Sequence, residues 1–226
     1  QAEGGIRDTS VTGVQTCALP ILRDSTFTNN EAYCSGGALQ LQGYFGSSTL
    51  FLRSTFTGNH TLVDAGDCPF YSWDEDVWVG GGAIFSLFNT ITTVSSKFTN
   101  NTSLWAGGAI ASLESIYSYS STYTGNRAYA GGGAMYQDDN YLYLYEGNVL
   151  KRNYSISGGG FWADNVYVDA VNIFSGNVSS WTNDDGARAD GGYGGGCSEI
   201  DLPPAIAGYW DIEGFHNGSQ SIYAGC

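Results

Sequence analysis

The sequence predicts an all-β protein, a right-handed parallel β-helix of about six rungs with loop insertions. Three observations lead there. A tetrapeptide with an apolar residue at its head and Asn at its end recurs six times. A Gly-Gly motif recurs in phase with it. Between the two, apolar and polar residues alternate with period two, the pattern of a strand with one buried face.

The six tetrapeptides start at Phe27, Phe56, Phe98, Tyr123, Leu150 and Phe174 and end at Asn30, Asn59, Asn101, Asn126, Asn153 and Asn177. Their heads are 29, 42, 25, 27 and 24 residues apart. The second motif reads Gly36-Gly37-Ala38, Gly81-Gly82-Ala83, Gly107-Gly108-Ala109, Gly132-Gly133-Ala134 and Gly159-Gly160-Phe161. Asn and the second Gly are seven residues apart in four repeats and 23 apart in the second. Residues 61–78 therefore read as an insertion, and residues 179–190 as another. Inserts between phased motifs are loops leaving a solenoid.

Alternation is clear in Ser115–Ser121, Tyr141–Tyr145 and Asn165–Asp169. A repeat of this size has two or three short strands and no core of its own. Stacking repeats about 4.8 Å apart pairs each strand with its counterparts. The apolar head then points inward, and the closing Asn side chains form a hydrogen-bonded ladder at a turn that strand pairing leaves unsatisfied. Gly-Gly supplies the permissive backbone for the next corner. Right-handed winding is expected from the crossover rule.

Residues 1–21 read differently. VTGVQTCALPI at 11–21 resembles the translation of a short-read sequencing adapter, and QAEGGIRD at 1–8 resembles the preceding part of the same adapter. This segment is read as a library artefact outside the fold, with the β-helix over 22–200 and an irregular tail or partial further rung over 201–226, where Leu202-Pro203-Pro204 interrupts pairing. The chain is accordingly expected to be a fragment at both ends.

The net charge is −14. Removing Arg7 from the eight cations, and Glu3 and Asp8 from the twenty-two anions, leaves seven against twenty. Such a balance argues against nucleic acid as a partner and against docking on anionic lipid. No apolar run reaches the length of a membrane span. Cys34, Cys68, Cys197 and Cys226 lack zinc-site spacing, and disulfides in an oxidising compartment are open to them.

The two motifs resemble the GGA-plus-aliphatic and F-x-x-N repeats of the chlamydial polymorphic outer-membrane proteins, over residues 27–177. Ala38-Leu39, Ala83-Ile84 and Ala109-Ile110 keep the aliphatic partner, whereas Ala134 precedes Met135 and the fifth copy has Phe161-Trp162. The resemblance implies extracellular display and adhesion, with a host or neighbouring-cell surface protein or glycan as partner.

The insertion holds the expected contact residues, Phe70, Tyr71, Trp73 and Trp78, beside Asp74, Glu75 and Asp76. Aromatics are frequent interface anchors, and the three acids are candidate Ca²⁺ ligands. No other cofactor and no catalytic residue is expected. Glu114, Asp138, Asp139 and Asp164 fall at one outer corner; paired carboxylates there would suit a polysaccharide hydrolase or lyase, the alternative to adhesion alongside a purely structural spacer. His60 and His216 are isolated. Of the Asn-x-Ser/Thr sites, Asn59, Asn101, Asn153 and Asn177 are ladder positions, leaving Asn100 and Asn217 as glycan acceptors. Thr26, Thr28, Thr55, Thr57, Thr122 and Thr124 form outward columns, a pattern known in ice templates, but Lys97 and Lys151 interrupt them, and Thr–Thr pairs are ordinary sheet stabilisers.

Overall fold

A computed structural model describes residues 19–62, 79–169 and 171–179, together with the backbone of three short strands beyond them. The described residues form a parallel β-solenoid of about five turns, without helix. Each turn visits three sheets. A long strand in the first sheet leads to a three-residue strand in the second and a two-residue strand in the third.

The first sheet stacks Ile21–Arg23, Leu39–Leu52, Ile84–Val94, Ile110–Ser112 with Ile116–Tyr119, Met135–Tyr145, Phe161–Val168 and Gly191–Tyr193. The second stacks Thr26–Thr28, Thr55–Thr57, Lys97–Thr99, Thr122–Thr124, Val149–Lys151 and Ile173–Ser175. The third runs from Glu31–Ala32 to Val178–Ser179. Glu199–Asp201 and Ser221–Tyr223 pair antiparallel with each other, outside the parallel stack.

The recurring tetrapeptide is a strand, a corner and a ladder residue in sequence. Its head lies mid-strand in the second sheet and points inward. Phe27, Phe56, Phe98 and Tyr123 stack with ring centroids 4.7, 4.8 and 4.9 Å apart and planes within 6°. Leu150 and Phe174 continue the column, in register. Burying each such side chain contributes about 1.5–3 kcal/mol. The third residue of the tetrapeptide turns the corner in the left-handed region: Asn29, Gly58, Asn100, Gly125, Arg152 and Gly176 all have φ between 53° and 67°. That explains why this position favours Gly and Asn, the residues that enter this region at least cost.

The two glycines of the third corner have separate tasks. The first adopts positive φ, at 62° in Gly36, 67° in Gly81, 63° in Gly107 and 64° in Gly132. The second is needed for close stacking. A Cβ on Gly108 would collide with the Gly133 carbonyl oxygen and the Arg127 backbone of the next coil.

The fifth copy of this motif sits one residue earlier than its spelling suggests. Met135 pairs with Phe161, not with Trp162, and Gly158 has the positive φ of 66°. Gly158 and Gly159 are thus the corner pair, Gly160 replaces Ala, and Phe161 fills the aliphatic slot. The reading of Gly159-Gly160 as the pair is corrected by this register; the arc after Asn153 is one residue shorter than those after Asn30, Asn101 and Asn126.

Inside the first sheet, Ile91, Ile116 and Leu142 form one buried column and Ile84, Ile110, Met135 and Phe161 another, which half-buried Leu39 extends. A polar cluster lies inside the core. Tyr123 replaces Phe in its column, and its hydroxyl lies 2.9 Å from both Thr93 Oγ1 and Ser118 Oγ. Those residues stand where other coils have Phe51, Leu144 and Val168. Burial pushes the Tyr123 phenol up to about 12 against the lowering effect of these two bonds.

Candidate partner-binding surface

The six ladder asparagines are joined in one continuous chain. The Nδ2 of Asn30, Asn59, Asn101, Asn126 and Asn153 donates to the Oδ1 of the next at 2.8, 2.9, 2.9, 3.0 and 2.9 Å. Each Oδ1 also accepts the backbone N–H of the preceding ladder residue, 3.0 Å away in each pair. From Asn59 onward, Nδ2 also donates to the carbonyl of the preceding coil's head residue, as Asn126 does to Phe98 at 3.1 Å. An interior amide such as that of Asn126 thus uses both donors and both lone pairs inside the wall. Asn59, Asn101, Asn153 and Asn177 are buried, so these Asn-x-Ser/Thr sites are closed to a glycan, while Asn100 is exposed at its corner. Asn217 lies outside the described residues.

A second ladder was missed in the repeat pattern. Two positions before each head residue stand Ser25, Ser54, Ser96, Ser121, Asn148 and Asn172. The backbone N–H of Ser54 and Ser96 donates to the next Ser Oγ at 3.1 Å. Ser121 N–H reaches Asn148 Oδ1 at 2.9 Å, and Asn148 N–H reaches Asn172 Oδ1 at 2.8 Å. These residues stitch the corner between the first and second sheets, after left-handed residues that include Arg53, Ser95 and Ser120. The signal was present as six small polar residues at constant offset.

The expected contact residues Phe70, Tyr71, Trp73 and Trp78, with Asp74, Glu75 and Asp76, lie outside the described residues. Their point of departure is described. The insertion follows His60–Thr61 and rejoins at Gly80, which bridges to Ala106. There Val79 is buried against Cys34 and Trp105, and Cys34 is disulfide-bonded. The second insertion also joins the third sheet to the first, between Val178–Ser179 and Gly191–Tyr193. Both loops therefore leave from the same corner of the solenoid.

The outer face of the first sheet carries a surface that the alternation encodes but that sequence reading left unassigned. In Ile116–Tyr119, Met135–Tyr145 and Phe161–Val168, inward Ile116, Leu142, Leu144 and Val166 alternate with outward tyrosines. Register places Tyr117, Tyr143 and Tyr167 in one column. Tyr117 and Tyr143 stack at 4.5 Å, and Tyr143 and Tyr167 at 5.0 Å, both with planes 7° apart. Tyr119 and Tyr145 form a neighbouring column at 5.8 Å, and Tyr141 lies 5.8 Å from both Tyr143 and Tyr167. Tyr167 is 51% exposed and Tyr141 39%. Burial, then the Tyr117, Tyr167 and Tyr145 phenols, raises the Tyr143 phenol; burial, then Tyr119, Tyr117, Tyr167 and the Asp169 carboxylate, raises that of Tyr145.

A seam of bulges divides the first sheet beside this patch. The register shifts between Gln42 and Ser47 and again between Gln137 and Tyr141. Glu114, Asp138 and Asp164 fall along it, at varied depth. Asp138 is buried, whereas Glu114 is half-buried and accepts a bond from Asn140 Nδ2 at 3.2 Å. The Asp139 side chain lies outside the described set. Among the described residues no three His, Cys, Asp or Glu side chains come together as a metal cluster. His60 Nε2 lies 2.9 Å from Glu31 Oε2 of the preceding coil; His216 lies outside the described residues. Thr26 and Thr28 are exposed and Thr55, Thr57, Thr122 and Thr124 half-buried on the second sheet, with Lys97 and Lys151 exposed among them. Among the described residues no helix is long and apolar enough to cross a membrane.

Two segments, residues 24–42 and 95–113, match the model of the Chlamydia polymorphic membrane protein repeat. Each spans a tetrapeptide, its ladder Asn and the following glycine corner. No curated protein and no solved structure matches the chain. Repeat match and coil geometry agree: the described residues form a parallel β-solenoid, two of whose repeats match the Chlamydia polymorphic membrane protein repeat.

Proposed function

We propose that this protein is a surface-displayed repeat protein that acts in adhesion, with the solenoid as a rigid stalk and its insertions as contact elements. The observation that carries this reading is the common origin of the two insertions. A scaffold closed by continuous ladders presents both loops from one corner, an arrangement suited to recognition by loops on a regular frame. The repeat match supports display at an outer membrane or cell surface. The disulfide at Cys34 supports an oxidising compartment. The partner class is a surface protein or glycan of a host or neighbouring cell, and Ca²⁺ bridging through Asp74, Glu75 and Asp76 belongs to the same proposal.

The test compares the full chain with a variant in which residues 63–78 are replaced by a short Gly-Ser linker, in cell-binding and glycan-array assays with and without Ca²⁺. Binding that disappears with the insertion supports adhesion. Cleavage of an arrayed polysaccharide would establish an enzyme instead, and absence of all binding would leave a spacer.

A further inference from the structure

We propose that the tyrosine face of the first sheet is a second interaction surface and that it takes an arginine-rich basic segment of a partner protein. This goes beyond the loop-borne contact above and rests on the same reading of the molecule as a binding protein.

The face has three properties at once. It is aromatic, with six tyrosines over three coils held in place by stacking. It is rimmed by carboxylates on both sides. Glu114 and Asp164 lie along the bulge seam. On the opposite edge, exposed Glu146 directly follows Tyr145, and its backbone N–H donates to Asp169 Oδ2 at 2.7 Å, bringing Asp169 beside Tyr145. Its own strands carry no cation: no Lys, Arg or His occurs in Ile84–Val94, Ile110–Tyr119, Met135–Tyr145 or Phe161–Val168. The described cations of neighbouring coils lie elsewhere, Lys97 and Lys151 on the second sheet and Arg127 on the third, with Arg53 and Arg152 at corners.

These properties select a ligand class. Aromatic rings beside carboxylates attract a cation through both the ring quadrupole and Coulomb terms. Guanidinium suits the site better than ammonium because it is planar, weakly hydrated and able to lie on the tilted rings of Tyr141 and Tyr119 while donating to phenol and carboxylate oxygens. The rims repel anionic glycans and nucleic acids. The chain's net charge of −14 favours approach of a basic partner at long range.

The probe is a fluorescein-labelled octa-arginine peptide, titrated into the full chain and followed by anisotropy. Tyr143→Thr/Tyr167→Thr leaves net charge unchanged and uses a residue already present in the same column at Thr92. Binding should weaken about tenfold in this variant. Glu114→Gln/Glu146→Gln should weaken it similarly, while Asp24→Asn/Glu31→Gln, which removes as many charges from other faces, should change it less than about twofold. Thermal melts check each fold, and if the double Tyr variant melts early, Tyr167→Thr alone, at the most exposed ring, should still weaken binding. Equal losses in both charge pairs would overturn the proposal, since net charge would then suffice. So would binding of cellohexaose or chitohexaose that the Tyr variant abolishes, or self-association through this face. Peptide binding that survives replacement of residues 63–78 supports this surface whatever cell adhesion does; binding lost with that segment overturns it.

Discussion

Truncating one interior rung of the amide ladder should be among the most damaging small changes available to this protein. Asn126→Ala removes Oδ1, which accepts from Asn101 N–H at 3.0 Å and Asn101 Nδ2 at 2.9 Å, and Nδ2, which donates to Asn153 Oδ1 at 3.0 Å and Phe98 O at 3.1 Å. The acceptors fare better than the donors, because Asn153 Oδ1 keeps the Asn126 backbone N–H. Two Asn101 donors lose the partner they share, inside a wall where Asn101 is fully buried. At about 1–3 kcal/mol per stranded donor, less what water entering the vacated space restores, the loss is about 2–4 kcal/mol. For a domain of this size that lowers the melting temperature by roughly 4–16 °C. Differential scanning calorimetry of the parent and Asn126→Ala measures it, with Asn100→Gly as the adjacent control. Asn100 is exposed with φ 53°, and Gly relieves that conformation, so the control should melt at or slightly above the parent. Equal melting of Asn126→Ala and parent would refute the claim that the ladder stabilises the corner.

Three further outcomes follow from the geometry. Gly108→Ala should prevent folding or lower stability by more than about 4 kcal/mol, because the added Cβ meets backbone that cannot move aside; Gly147→Ala, whose Cβ meets only the Val171 carbonyl oxygen at 3.5 Å, should cost about 1 kcal/mol from its φ of 80° alone. Urea titrations rank the two, and equal effects would refute the stacking role. Tyr123, with its phenol raised to about 12, should make stability fall at high pH: the unfolded phenol ionises from about pH 10 while the folded one stays protonated, so stabilisation is complete below pH 10 and declines by about 2–3 kcal/mol between pH 10 and 12. Tyr123→Phe should flatten that decline in pH-dependent melts, though at a cost near neutrality from the lost bonds to Thr93 and Ser118, whose hydroxyls keep their bond to each other at 3.0 Å. The Arg53–Asp24 pair, at 2.8 Å but with both side chains more than half exposed, should leave the melting temperature almost unchanged in Asp24→Asn, at low or high salt.

Much of the coil was legible because its constraints are local and repeat. The inward Phe, the left-handed Gly or Asn and the ladder Asn follow one another in four residues, so one coil's chemistry is spelled six times. The corner ladder of Ser25, Ser54, Ser96, Ser121, Asn148 and Asn172 escaped notice because Ser and Asn are common throughout this chain, and a column of them gains meaning only once register aligns it. The fifth glycine pair reads as Gly159-Gly160 in place of Gly158-Gly159 for a related reason. Three consecutive glycines satisfy the motif in two frames, and pairing of Met135 with Phe161 decides between them. The tyrosines were visible as alternation, but alternation says which residues share a face and not which face is buried. Only the inward Leu142 and Leu144 settle that Tyr141, Tyr143 and Tyr145 look outward.

The phase of the coils has a consequence for inheritance. Each coil ends at the same corner it began from, and every column residue is met in the next turn by one of like size or hydrogen-bonding role. Unequal recombination between two equivalent points of the gene would add or remove some 25 residues and leave all columns closed, because each turn contacts only its neighbours. A deletion of one codon inside a strand instead shifts the rest of that strand's side chains to the opposite face. Length variation in whole turns is therefore the kind this architecture tolerates, and lineages carrying it are expected to differ by coils and by the loops at the third corner, while the spacing from head residue to ladder Asn stays constant.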